Sequence, residues 1–138
     1  MLRPLRVLVV DEMDVTGEVL RAALERSGTE VLSVREPRAG LEMARQRQPD
    51  VIVLDLEVDT EADEELTGGF AAESRSQAKP LVMLGTARCR SRSAGGQFVA
   101  KPYEYGMLVR KIEELLANTP RVDLESVAAP PVPTGRAA

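Results

Sequence analysis

Asp11 and Glu12 stand side by side at the end of one apolar run, and Asp55 ends another, Val51-Ile52-Val53-Leu54. Thr86 follows a third such run, Leu81-Val82-Met83-Leu84-Gly85, and Lys101 follows a fourth, Gln97-Phe98-Val99-Ala100. Carboxylates are the hard oxygen donors that suit Mg²⁺, a cation that keeps several waters and takes one or two carboxylates from a protein. Asp11, Glu12 and Asp55 are therefore candidate metal ligands, with the backbone carbonyl of Glu57 as a further oxygen. A carboxylate beside such a metal can act as a nucleophile toward phosphorus, and the metal neutralises the transferring group. A hydroxyl and an ammonium, here Thr86 and Lys101, can hold the remaining phosphoryl oxygens. Acids also end strands simply because water begins there. Two matching strand-end acids in one short chain favour convergence over that bland reading.

Composition excludes much else. The chain has no histidine and one cysteine, Cys89, so a His-dependent triad and an intrachain disulfide are ruled out, and the Cys and His ligands that structural zinc sites use are missing. A lone thiol suits a reducing, cytoplasmic compartment. Net charge is −4 with no long basic stripe, which argues against a nucleic-acid partner. No apolar run approaches the 18 residues of a membrane span, so no membrane association is expected. Hydrophobic residues make up 43% of the 138 positions, enough for one domain with one core.

The elements that must position these residues follow from periodicity. Leu5–Val10 and Val51–Asp55, apolar but for Arg6 and the closing Asp55, read as strands buried on both faces. Glu30–Val34, Leu81–Leu84 and Gln97–Ala100 read as three more strands. Helices are predicted over 15–27, 38–47 and 105–117. The first is capped by Asp14, carries Val15, Val19, Ala22 and Ala23 along its apolar side with Leu20 and Leu24 beside them, and stops at Gly28. The stretch from Glu57 to Glu65 is acidic and reads as solvated, and Gly68-Gly69 breaks the chain. Only a short helix is expected from Phe70 to Arg75. Arg88 to Gly96, rich in arginine, serine and glycine, reads as a loop. Residues 1–118 form the expected domain, and 119–138, punctuated by Pro120, Pro130, Pro131 and Pro133, a disordered tail.

Alternation of strands and helices predicts a doubly wound five-stranded parallel sheet of order 2-1-3-4-5 in an α/β fold. Strands one and three are neighbours in that order, which gathers Asp11, Glu12 and Asp55 at one rim. Val7-Leu8-Val9-Val10-Asp11-Glu12, Val51-Ile52-Val53-Leu54-Asp55, Leu84-Gly85-Thr86-Ala87, Phe98 and Lys101-Pro102-Tyr103 together resemble the receiver domain of two-component response regulators, a flavodoxin-like, CheY-like fold. The resemblance runs from about Leu5 to Ala117. It implies Mg²⁺ as cofactor, Asp55 as phosphoacceptor, Thr86 as switch hydroxyl, Phe98 as switch aromatic and Lys101 as the charged partner of the phosphoryl group. It also implies a proline that often follows a cis bond. A histidine kinase or phosphotransfer protein would be the donor in a phosphorelay, and an output protein of unknown identity the recipient of the signal. Enzymatic activity would be confined to self-phosphorylation from a phosphodonor and autodephosphorylation, and the chain is expected to stand alone as a monomer or weak dimer.

Two departures from that family pattern stand out. Asp59 occupies the place of a usual proline, with no glycine until Gly68, and Thr86 and Lys101 lie only 15 positions apart, so helix 4 is expected to be reduced or absent. These departures favour an alternative, a pseudo-receiver that docks partners without phosphorylation. An Mg²⁺-dependent aspartyl phosphatase would want an aspartate where Glu57 stands. A nucleotide-binding domain would want a glycine-rich turn where Asp11-Glu12-Met13-Asp14 stands.

Overall fold

The computed structural model describes residues 3–55, 61–85 and 97–119. Five strands, β1 (Arg6–Val10), β2 (Glu30–Val34), β3 (Val51–Asp55), β4 (Leu81–Gly85) and β5 (Gln97–Ala100), form one parallel sheet in the order β2-β1-β3-β4-β5. The predicted order is thus the observed one. Among the described residues, α1 (Val15–Leu24), α2 (Pro37–Arg47) and α3 (Glu61–Gln77) lie between strands, and α4 (Tyr105–Ala117) follows β5. A 3₁₀ turn at Glu25–Ser27 completes α1, and Gly28 closes it at φ 88°, a left-handed angle that glycine adopts without strain.

Successive side chains of a strand face opposite sides, so each central strand feeds two cores. Val7, Val9, Val51 and Val53 pack with Leu20 and Leu24 of α1 and Leu108, Ile112 and Leu116 of α4. Leu8, Val10, Ile52, Leu54 and Met83 pack with Ala44 of α2 and Phe70 and Ala71 of α3. Both faces are covered, which is why β1 and β3 read as continuous apolar runs rather than alternating ones. Among the described residues no helix is long and apolar enough to cross a membrane.

Three local expectations need correction. The region after β3 holds a 17-residue helix rather than a short one. Acids favour the positive end of a helix, so an acidic stretch that reads as solvated coil can equally open one. Gly68 and Gly69 lie inside α3, and Phe70, fully buried, anchors it against the sheet. A Cβ on Gly69 would come within 2.9 Å of Leu41 Cδ2, so the glycine lets α3 lie close to α2.

The second correction concerns the inner face of α1, which is Thr16, Gly17, Leu20 and Leu24, while Val15 is 46% exposed. Gly17 abuts Ser33 of β2, so α1 approaches the sheet by its smallest residues. The third concerns its cap. Asp14 sits at the N-cap at φ 61° but makes no side-chain capping bond, and its carboxylate instead accepts from Ser33 Oγ at 2.6 Å. Finally, the fourth described helix, α4, is full length at 13 residues. The stretch 88–96, where the sequence predicts a loop in place of a helix, lies outside the described residues, as does the tail from 120 onward.

Candidate functional site

Strand register builds the site. Val10 pairs with Leu54, so the next residues along, Asp11 and Asp55, emerge abreast at the carboxyl rim of the sheet. Gly85 pairs with Ala100, and the Lys101 N–H donates to the Gly85 carbonyl at 2.7 Å, which brings Lys101 to the same rim from β5. In open α/β sheets this rim, at the point where strand order reverses, is where ligands bind. Here it opens as a cavity of about 630 Å³ whose walls include Asp11, Thr16, Asp55, Lys101, Tyr103 and Tyr105.

Each group is held by named partners. The Lys101 ammonium donates to Asp55 Oδ1, and the Asp55 side chain is 5% exposed. Asp55 Oδ2 accepts from Thr16 Oγ1 at 3.3 Å. Asp11 is 2% exposed and accepts from the Met13 N–H at 3.0 Å and the Thr16 N–H at 2.9 Å. Asp11, rather than Asp14, therefore satisfies the Thr16 N–H in the first turn of α1. The Lys101-Pro102 bond is cis. Tyr103 stacks edge-on against Tyr105, with ring centroids 5.6 Å apart and planes at 84°. Its hydroxyl lies 3.4 Å from Thr16 Oγ1. Burial pushes the Tyr103 phenol above its ordinary value, with the Asp55 charge adding to the rise, so it remains a hydroxyl at neutral pH.

The sequence-derived candidates divide accordingly. Asp11, Asp55 and Lys101 converge. Glu12 is exposed and lines a separate cleft with Arg35, Glu36 and Pro37. Phe98 is half-buried and packs on the α2 and α3 side of the sheet. Glu57 and Thr86 lie outside the described residues. Among the described residues no group of three or more acids, cysteines or histidines is spaced to hold a metal by itself. The pair Asp11 and Asp55 fits a cation that keeps most of its water, since such an ion needs only one or two carboxylates. Sequence reasoning missed Thr16 and the hydroxyl of Tyr103. The signal for Thr16 was its place four residues before Leu20 and eight before Leu24: a hydroxyl on the buried stripe of α1 must have a partner inside.

No family model matches the chain. Curated relatives do. A protein-glutamate methylesterase/protein-glutamine glutaminase of Symbiobacterium thermophilum is 33% identical over 152 residues, covering 94% of this chain and 40% of that protein. Protein PilH of Pseudomonas aeruginosa is 25% identical over 119 residues, covering 82% of this chain and 98% of PilH. The chain thus spans two fifths of the first relative and nearly all of the second. Among solved structures, a putative response regulator from Chloroflexus aurantiacus superposes with a TM-score of 0.69 at 24% identity, covering 84% of this chain and all of that one. The chemotaxis response regulator CheY4 of Vibrio cholerae superposes at 0.68 with 21% identity, covering 82% and 99%. The chain thus has the fold of these response regulators.

Proposed function

We propose that this domain accepts a phosphoryl group on Asp55 from a histidine kinase or phosphotransfer protein and signals through contacts with an output protein. The observation that carries the reading is the Lys101 ammonium on Asp55 Oδ1, inside a cavity that Asp11 also lines. An acid that meets a cation at the wall of a cavity, beside a second acid, is arranged to receive a metal and an anionic group. Asp55 would attack phosphorus with one carboxylate oxygen while the bond from phosphorus to the donor's nitrogen breaks, its electron pair staying with the nitrogen. Lys101 would move with its charge to the incoming phosphoryl oxygens. Asp11, fixed by two backbone N–H groups, would present oxygen to Mg²⁺ together with Asp55, and Glu12, the Glu57 carbonyl and Thr86 stand as further members of the set by the family pattern. When bound, Mg²⁺ supplies the positive charge that lets an acid approach a phosphate. Hydrolysis of the acyl phosphate by water would return the domain to its resting state, so catalysis is limited to its own phosphorylation and dephosphorylation.

Acetyl phosphate with Mg²⁺ should add the mass of one phosphoryl group, read on the intact protein, and Asp55→Asn should abolish the gain. Persistence of the gain in that variant would refute Asp55 as acceptor. The alternative, a docking module that works without phosphorylation, is favoured by one observation: Glu12 turns to a separate cleft rather than to Asp55. Absence of any mass gain in the wild type, with acetyl phosphate and with kinases alike, would select it.

A further inference from the structure

Thr16 alone among the described residues bonds to both acids of the rim. Its backbone N–H donates to Asp11 Oδ2 at 2.9 Å, and its hydroxyl reaches Asp55 Oδ2 at 3.3 Å and the Tyr103 hydroxyl at 3.4 Å. The proton positions follow from donor and acceptor capacity. An ionised carboxylate only accepts, so Thr16 must donate to Asp55. A threonine hydroxyl has one proton, so the Tyr103 hydroxyl must be the donor toward Thr16. The result is a directed chain from Tyr103 through Thr16 to Asp55. Both contacts are long for hydroxyl bonds, as acceptor sites commonly are before a ligand closes them.

We propose that Thr16 is a positioning residue for Asp55: its hydroxyl fixes the plane of the acceptor carboxylate and ties that carboxylate to Tyr103. The terminal torsion of an aspartate is soft, so one contact does not set its plane. Lys101 holds Oδ1 from a long flexible stem, whereas Thr16 holds Oδ2 from a stiff β-branched side chain, 2% exposed, on a helix whose start is pinned to Asp11. The edge-on Tyr105 ring in turn steadies Tyr103. A carboxylate fixed in this way starts closer to the geometry of attack on phosphorus. The kinetic consequence rests on the reading of Asp55 as a phosphoryl acceptor. The link to Tyr103 does not.

Two measurements on the whole chain test this. In the first, Thr16→Val keeps shape and loses the hydroxyl, and the gain of phosphoryl mass from acetyl phosphate and Mg²⁺ should slow about 2- to 10-fold, the worth of one net hydrogen bond. Thr16→Ser, which restores the hydroxyl on a less restricted side chain, should recover part of the rate. In the second, no phosphodonor is present. The ring resonances of Tyr103, in protein carrying ¹³C-labelled tyrosine and assigned through Tyr103→Phe, should shift further on Asp55→Asn when Thr16 is intact than in the Thr16→Val background, where only the direct effect of the Asp55 charge remains. A wild-type phosphorylation rate in Thr16→Val, failure of Thr16→Ser to recover, or an equal Tyr103 response in both backgrounds would overturn the proposal. A Tyr103 response that depends on Thr16, in a protein that never takes up phosphoryl, would refute the acceptor reading and leave the Thr16 link standing.

Discussion

Strand β3 has an aspartate at each end, both with buried side chains and both paired to cations, but in different surroundings. Asp50, just before the strand, is fully buried and accepts two bonds from the Arg3 guanidinium at 2.9 and 2.6 Å, one from the Arg6 N–H at 2.8 Å and one from Lys79 Nζ at 3.3 Å. Burial pushes its carboxyl up, but the Arg3 and Arg6 bonds and the charges of Arg3 and Lys79 together hold it below the ordinary 3.8. The folded state then binds this proton less readily than the unfolded chain does. The stability it brings is complete above about pH 4 and is lost as pH falls below that toward the depressed value. Asp50→Asn should destabilise by about 2–4 kcal/mol at pH 7, at the lower side of a broken buried pair because Arg3 and Lys79 can turn to water. Urea unfolding at pH 7 and pH 3 checks both points: the variant's deficit should shrink at the lower pH. Asp55, by contrast, faces a cavity. The sequence marked Asp55, Asp11 and Lys101 through the strand ends they occupy. It did not mark Thr16, because the spacing to Leu20 and Leu24 places a threonine on the buried stripe without saying which group its hydroxyl meets, nor the turn of Glu12 toward Arg35.

At the scale of elements, the strands and three helices were legible because their apolar residues recur at the right period. α3 was not, because its glycines and acids are the residues that lower helix propensity or mark coil, and tertiary packing through Phe70 and Ala71 overrides them. The glycines of α2 and α3 make this testable. A Cβ on Gly68 meets nothing within 4 Å, so Gly68→Ala should raise stability by about 1 kcal/mol, the helix-propensity difference. A Cβ on Gly40 would lie 2.7 Å from Val10 Cγ2, a branched side chain held in the core, so Gly40→Ala should destabilise despite the same propensity gain. Chemical denaturation of the two variants should therefore give shifts of opposite sign. Equal shifts would mean that α2 can slide away from β1 and that its packing on the sheet is looser than the contact indicates.

The whole molecule couples the site to its stability through charge. Folding brings Asp11 and Asp55 to one cavity at the end of a sheet packed on both faces, and the unfolded chain separates them by 44 positions. A divalent cation that takes both acids therefore binds the folded state alone, and anything that binds only the folded state stabilises it by mass action. With Mg²⁺ at tenfold its dissociation constant the gain is about 1.4 kcal/mol. In a domain of this size that corresponds to a rise in Tm of about 5 °C. The chain also carries a net charge of −4, so any salt relieves some general repulsion, and that effect must be separated from the specific one. NaCl at matched ionic strength does so, because screening responds to ionic strength and site binding to the metal. Calorimetry should show a Tm rise with MgCl₂ that exceeds the NaCl control and is reversed by EDTA. Asp55→Asn should remove most of the excess while leaving the screening component in place, because its neutral amide is a poorer partner for a hard cation. An excess of equal size in Asp55→Asn would mean that Asp55 does not hold the metal, and would leave Asp11 or the rest of the acidic surface as its place.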